Sequence, residues 1–376
     1  MKRLFIIHFS PLELYPPVQN LLEFADKELN NKIRISVFTT NSSVKELNKL
    51  ALQNSRFKII RLGVSAVKLN KFKRYWSYLK FNLVTLFYLV ALRPKTVLYY
   101  ETISSYPVYL YKRYFNSKAK IFIHYHEYNS IHEYETGMIL IKYFHSCEKK
   151  LYSKVNWLSH TNDYRMQLFV SDIKPLTIAN PKIIPNNPSK KWATTKKKII
   201  ARPIRIIYIG SLSIDTMYTM EFAEWVLTQN GKVIWDIYSF NITEQAREYL
   251  ETMNSDWINI KAGINYNELP SILNCYDIGL VLYKGHLPNY IYNIPNKLNE
   301  YAVCGLDVWF PNKMIGSLGL LTSYTYPKII ALDFDNLKKM DLYEICNRKK
   351  LIYKAHTSCY EESLREIVGE LNLFER

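Results

Sequence analysis

A chain of 376 residues is too long for one ordinary hydrophobic core and predicts two domains of about 150 to 200 residues each. Its 48% hydrophobic and 22% charged residues exclude disorder as the default state. The formal net charge of +17 is unevenly placed: Arg56 to Tyr100 holds ten basic residues and no acidic one, and Ile173 to Ile214 holds nine more, Lys196, Lys197 and Lys198 among them. Such asymmetry points to an anionic partner, whether nucleic acid, a phosphorylated ligand or an acidic membrane surface.

The five cysteines are scattered and form no CxxC pair, so neither a disulfide framework nor a zinc ribbon is expected, and a reducing cytosol fits best. The apolar run in "MKRLFIIHF" stops at His8 and is shorter than a signal-peptide core. "FNLVTLFYLVAL" (81–92) would extend only about 18 Å as a helix, short of a bilayer's apolar thickness. A cytoplasmic protein is expected, with no membrane crossing.

In chain order, "RLFIIHF" reads as a buried strand, and Pro17 opens a helix with apolar positions at Leu21, Leu22, Phe24 and Ala25. "KIRISVFTT" and "FKIIRLG" read as strands, Lys71 to Leu92 as a long helix, and "TVLYYE" and "KIFIHYHEY" as further strands. A helix over "IKYFHSCEKKLYSKV" and a strand "NWLSH" follow. "NPKIIPNNPSKKWATTKKK" has no apolar period and reads as the interdomain linker. Alternation then resumes with "IRIIYIG", a helix from Met217 to Gln229, "KVIWDIYS", a helix from Thr243 to Met253, "INIKAG", a helix "NELPSILNCY" and "DIGLVLY". Asn296 to Cys304 and "LDVWF" follow, and an amphipathic helix in "SCYEESLREIVGELNLF" closes the chain. Strands alternating with helices predict an α/β protein with two parallel sheets, each covered by helices, facing a cleft.

The segment "NIPNKLNEYAVCGLDVWF" carries the most chemistry. Pro295 suits a first helical turn and Gly305 a helix end, which bounds a short helix beginning at Asn296. Leu298, Tyr301 and Ala302 share its apolar face, while Lys297 and Glu300, three apart, share another. The pair reads either as a solvated ion pair or as part of a nucleotide site. A helix amino terminus at the carboxyl end of a parallel strand attracts phosphate, and a carboxylate one turn later can hold a ribose diol.

"IPNKLNEYAVCGLDV" resembles the PxKxxEYxAxGxPV segment of glycosyltransferases with the GT-B fold, in particular the retaining, family 4-like enzymes that use nucleotide-diphospho-sugars. "IRIIYIGSLS" and "INIKAGINYNELPSILNCYDIGLVLY" resemble other donor-domain segments of that family, in the expected order. "HYHEY" and "TIANPKI" resemble the strand end and closing segment of its acceptor domain. The resemblance implies a GT-B fold with domains at 1–188 and 203–345, a linker at 189–202, and a helical segment at 346–376 that can cross back to the first domain. It implies that Glu300 binds the donor ribose, that Lys297 grips the diphosphate beside Asn296, and that Gly210 and Ser211 let backbone approach the phosphates. His126, with Glu127 beside it, faces the transferred sugar on the acceptor side. The catalytic set so implied is His126, Lys297 and Glu300.

The sequence departs from the pattern in "GSLSIDTMYTM", which lacks the family's basic pair, and at Tyr292, where an earlier glutamate often stands. Lys284 or His286 is the candidate replacement charge. No metal is expected, because Lys297 and the helix terminus neutralise the leaving diphosphate.

The helix start around Lys68 to Lys80 reads either as a solvated end of a core helix or as a membrane-surface patch of Lys71, Lys73, Arg74 and Trp76, with core assigned to 81–92. His124 reads as a packed core residue. The implied partners are a nucleotide-sugar donor, a glycan or lipid-linked saccharide acceptor and an anionic inner-membrane surface. Nucleic acid is the competing class, but no helix-turn-helix, zinc finger or RNP-like segment is present, so no nucleic-acid partner is expected. A sugar-nucleotide epimerase and a non-catalytic nucleotide-binding protein keep the fold and change the chemistry.

Overall fold

Short runs of Ile, Val, Phe and Tyr form strands, the central ones buried on both faces, the pattern of a parallel sheet covered by helices. The computed structural model describes residues 2–29, 33–44, 47, 50, 54–65, 69–194 and 202–371. The chain divides into two units, Met1–Asn186 with Glu361–Arg376, and Asn187–Tyr360.

The first unit contains β1 (Lys2–His8), α1 (Pro16–Glu28), β2 (Ile33–Asn41), β3 (Phe57–Val64), α2 (Lys71–Leu92), β4 (Thr96–Tyr100), α3 (Ser105–Leu110), β5 (Lys120–Tyr125), α4 (Ile131–Thr136), α5 (Ile139–Glu148), β6 (Trp157–His160), α6 (Asp163–Asp172) and β7 (Pro181–Ile183). Its parallel sheet has the order β3-β2-β1-β4-β5-β6-β7. Strand order reverses between β1 and β4, where Ile6 lies opposite Leu98 and Ile7 opposite Tyr99. Parallel sheets of this kind receive ligands beyond their carboxyl ends, at that reversal.

The second unit contains β8 (Ile204–Ile209), α7 (Thr219–Thr228), β9 (Val233–Ser239), α8 (Glu244–Thr252), β10 (Ile258–Ala262), α9 (Leu269–Leu273), β11 (Ile278–Leu280), α10 (Pro288–Ile291), α11 (Asn296–Val303), β12 (Asp307–Pro311), β13 (Thr325–Tyr326), β14 (Ile329–Leu332), α12 (Leu342–Cys346) and β15 (Ile352–Tyr353). Its main sheet, β10-β9-β8-β11-β12-β14, repeats the same order and reverses between β8 and β11. The last helix, α13 (Tyr360–Glu370), belongs from Glu361 onward to the first unit, within which its Glu366 and Glu370 both pair with Lys182.

Several expectations need revision. "NPKIIP" supplies β7, an edge strand that tolerates Pro181 because its outer side needs no ladder partner. Lys190–Trp192 form a 3-10 turn, and the Thr194 N–H donates to the Val303 carbonyl, so this part of the expected linker is docked on the second unit. The remainder, 195–201 with Lys196, Lys197 and Lys198, lies outside the described residues, as does Lys68. Residues 346–360 belong to the second unit rather than to a separate terminal segment.

The assignment of 81–92 to core is also corrected. Phe81, Asn82, Thr85 and Leu89 are buried, whereas Leu83 is 50% and Phe87 69% exposed. A helix 22 residues long against one sheet buries only one stripe, so apolar residues on its other face remain in solvent.

Candidate functional site

The second unit assembles its site from the ends of β8 and the start of α11. Tyr301, buried on α11, accepts a hydrogen bond from the Ile209 N–H at 3.1 Å, which ties the helix to the last residue of β8. The ring needs room that only glycine leaves on β11: a Cβ at Gly279 would lie 2.1 Å from Tyr301 Cγ. Gly210 follows with φ +144, a conformation that side-chain-bearing residues rarely adopt. Tyr208 Oη donates to the Ser211 carbonyl at 2.5 Å and holds the loop.

Lys297 is brought to this loop, since a Cβ at Gly210 would lie 4.0 Å from its Cε. Its Nζ lies 3.5 Å from Glu300 Oε2, so the ion pair expected from spacing exists. It is not a solvated pair, because the Glu300 side chain is only 2% exposed, against 27% for Lys297. Glu300 Oε1 is buried without a hydrogen-bond partner. Leaving a buried carboxylate oxygen unmatched costs about 1–3 kcal/mol, which a bound hydroxyl donor recovers. Asn296 is the first residue of α11, and no side chain caps the helix start, so its amide end offers partial positive charge to a phosphate.

The other donor-side candidates sit differently. Lys284 Nζ donates to the Ile214 carbonyl at 2.9 Å and pairs with Glu221 at 3.3 Å, so its charge is matched locally. His286 is exposed in the loop after β11, its ring 6.2 Å from that of Tyr290. Gly210, Lys297 and Glu300 are therefore the tightly assembled group.

In the first unit, His126 lies just past β5, partly buried, with its ring 5.0 Å from that of Tyr15 and its Nδ1 buried without a partner. Burial, and then the Arg165 guanidinium that donates to the His126 carbonyl at 2.5 Å, keep this imidazole neutral, with its pKa well below the usual value. Glu127 is exposed beside it. His124 is packed in the core as expected, its Nδ1 2.9 Å from Ser159 Oγ.

Sequence reading missed Glu101, which stands at the carboxyl end of β4. Its Oε1 accepts hydrogen bonds from the His126 N–H at 2.7 Å, Tyr15 Oη at 3.0 Å and the Glu127 N–H at 3.3 Å. Its backbone has φ 61 and ψ 152, a strained region for glutamate that costs about 1–3 kcal/mol. The available signal was positional: Glu101 is the first acid after the acid-free run from Arg56 to Tyr100 and ends an apolar strand.

The four candidates for a membrane patch sit in the first turns of α2, whose start is capped by Asn70 accepting from the Lys73 N–H at 2.9 Å. Lys71, Lys73 and Trp76 are exposed, and Arg74 is partly buried. Among the described residues no helix is long and apolar enough to cross a membrane, and no group of three or more His, Cys, Asp or Glu is placed to hold a metal ion.

No family model matches the chain, and no curated protein matches it in sequence. Solved structures do match in fold. Sucrose-phosphate synthase from Thermosynechococcus elongatus superposes with a TM-score of 0.68 at 12% identity, covering 99% of this chain and 95% of that one. Anabaena HepE in complex with UDP and glucose gives 0.61 at 8% identity, covering 99% and 96%. UDP-GlcNAc 2-epimerase from Neisseria meningitidis bound to UDP-GlcNAc gives 0.59 at 11% identity, covering 99% and 100%. The fold is therefore that of the GT-B glycosyltransferases and their structural relatives, as the sequence resemblance implied.

Proposed function

We propose that the protein is a glycosyltransferase that moves a sugar from a nucleotide-diphospho-sugar to a hydroxyl of a glycan or lipid-linked saccharide, in surface polysaccharide or glycoconjugate synthesis. One observation carries this reading: the buried, unmatched Oε1 of Glu300, set beside Lys297 and the Gly210 loop at the start of α11. A ribose diol satisfies that oxygen. Lys297 and the amides of the helix start hold the diphosphate and stabilise the charge that develops as it leaves, with no metal required. HepE, a structural neighbour, was solved with UDP and glucose, which supports a nucleotide-sugar donor. Calorimetry with UDP, GDP, ADP and CMP in the presence of a chelator tests the reading: one diphosphate binds at micromolar affinity and loses at least about tenfold, or 1.4 kcal/mol, in Glu300→Ala.

The protein further works at the cytoplasmic face of a membrane. On α2, Phe72 (82% exposed), Trp76, Leu83 and Phe87 lie at helical spacing on one outward stripe, among Lys71, Lys73 and Lys80 in a stretch without acids. An apolar stripe with a basic border suits an anionic lipid interface. Sedimentation with anionic vesicles tests it.

A further inference from the structure

The first unit holds a carboxylate whose geometry is set for work. Glu101 closes β4 at the reversal of strand order, where ligands of parallel sheets seat. Its φ of 61 is tolerated because three donors converge on one oxygen: Tyr15 Oη, the His126 N–H and the Glu127 N–H, all on Oε1. The other oxygen, Oε2, accepts no hydrogen bond among the described residues, and Glu101 is partly exposed. Beside it stand neutral polar groups. His8 is 1% exposed, lies with its ring 3.9 Å from that of Tyr15 and tilted to it, and has both ring nitrogens unpartnered, and His126 Nδ1 is likewise unpartnered. Orienting one carboxylate oxygen while leaving the second open is what a proton acceptor requires, since position precedes basicity in general-base catalysis.

We propose that Glu101 is the general base of the transfer, an assignment that rests on the glycosyltransferase reading. Its Oε2 takes the proton from the acceptor hydroxyl as that oxygen bonds to the anomeric carbon. The bond from that carbon to the diphosphate oxygen breaks, and its electron pair leaves with the nucleoside diphosphate. A base supplied by the protein serves attack from the side opposite the leaving group, because on the same side the diphosphate itself can take the proton. The assignment therefore predicts inversion, whereas the resemblance to family 4-like enzymes implies retention.

The protonation of Glu101 fits the role. Burial, and then the Glu127 carboxylate, raise its pKa to about 8, with the bonds from His126, Tyr15 and Glu127 opposing in part. The titratable groups facing it are His8 from β1, Tyr15 ahead of α1, Tyr100 from β4, His126 and Glu127 past β5, and Tyr134 from α4. Burial keeps both histidines neutral and raises the three tyrosines, which leaves Glu101 to exchange the proton near neutral pH.

The test offers the full chain UDP-glucose, UDP-galactose, UDP-N-acetylglucosamine and GDP-mannose, with water or with glucose, galactose, mannose or N-acetylglucosamine as acceptor. Diphosphate release and anomeric configuration of the product are followed from about pH 6 to about pH 9, for wild type, Glu101→Gln and Tyr15→Phe. Wild-type release should rise about tenfold per pH unit toward pH 8 and then level, giving inverted product. Glu101→Gln should bind the same diphosphate with unchanged affinity, release it at least about a hundredfold more slowly, and lose the rise. Tyr15→Phe, lacking one donor to the ionised form, should move the rise to higher pH. Near wild-type turnover in Glu101→Gln, retained configuration, or a wild type that binds a donor and never consumes it overturns the assignment and leaves the donor site standing. Failure of wild type to bind any donor removes the transferase reading, and the assignment with it.

Discussion

The two units share one sheet order and differ in how they house ionisable groups. The second pairs its buried acids: Asp236 meets Lys261 at 2.7 Å and Arg205 at 3.2 Å, and Asp307 meets Arg348 at 2.7 Å. The first gathers imidazoles at the carboxyl ends of its strands, where burial keeps His8, His124, His126 and His160 neutral and raises Glu101 to about 8. Paired charges stitch a scaffold, whereas buried ring nitrogens without partners, as in His8 and His126, are groups that a ligand can satisfy. Glu300 is paired through Oε2 with Lys297, but its Oε1 is buried without a partner, and that oxygen marks the proposed donor site.

Acid should separate the units most strongly. Burial lowers His8 and His124 from 6.5 to about 3, so below pH 6.5 the unfolded chain takes up protons that the folded unit refuses. Their stabilisation is complete above 6.5 and falls by about 1.4 kcal/mol per histidine per pH unit as pH drops toward 3. Asp236 and Asp335, held below the usual carboxylate value by their partners, keep their contribution until pH falls below about 4. Hydrogen exchange read separately over β1–β6 and β8–β12 should show the first unit opening at higher pH than the second. Simultaneous opening would contradict the contrast.

Gly279→Ala should strike the second unit alone. The new Cβ lies within the Tyr301 ring, which must move and break its bond to Ile209, at a cost of about 3 kcal/mol visible as a lower midpoint in denaturant for that unit. Glu300→Gln should leave that midpoint unchanged or raise it, because the substitution removes a buried charge with one oxygen unmatched. The smallest effect on folding is expected from Lys73→Glu with Arg74→Glu, within about 0.5 kcal/mol, while vesicle sedimentation falls. Unaltered sedimentation would make the patch ordinary solvated surface.

Local pattern made most of the scaffold legible. Apolar runs of strand length located β1 to β6 and β8 to β12, and the Pro295 and Gly305 boundaries place α11 within one residue of its observed end. Helix α6 escaped notice because "DYRMQLFVSD" has no clean apolar period, although Asn162 caps it by accepting from the Arg165 N–H at 2.9 Å. Strand β14 was hidden for a different reason, as four residues after a proline carry little period of their own. On the donor side, Lys297 and Glu300 were readable from spacing, but the burial that separates a ligand site from a surface ion pair was not. Glu101 could not be assigned a role from sequence, since its partners Tyr15 and His126 lie 86 and 25 residues away and its geometry depends on a backbone torsion.

Calorimetric titration of UDP, GDP, ADP and CMP into the purified protein with chelator present, repeated on Glu300→Ala, tests the donor site most directly. The account predicts micromolar binding of one diphosphate without metal and at least about a tenfold loss in the variant. Binding that survives Glu300→Ala unchanged, or no binding by any of the four, would contradict it.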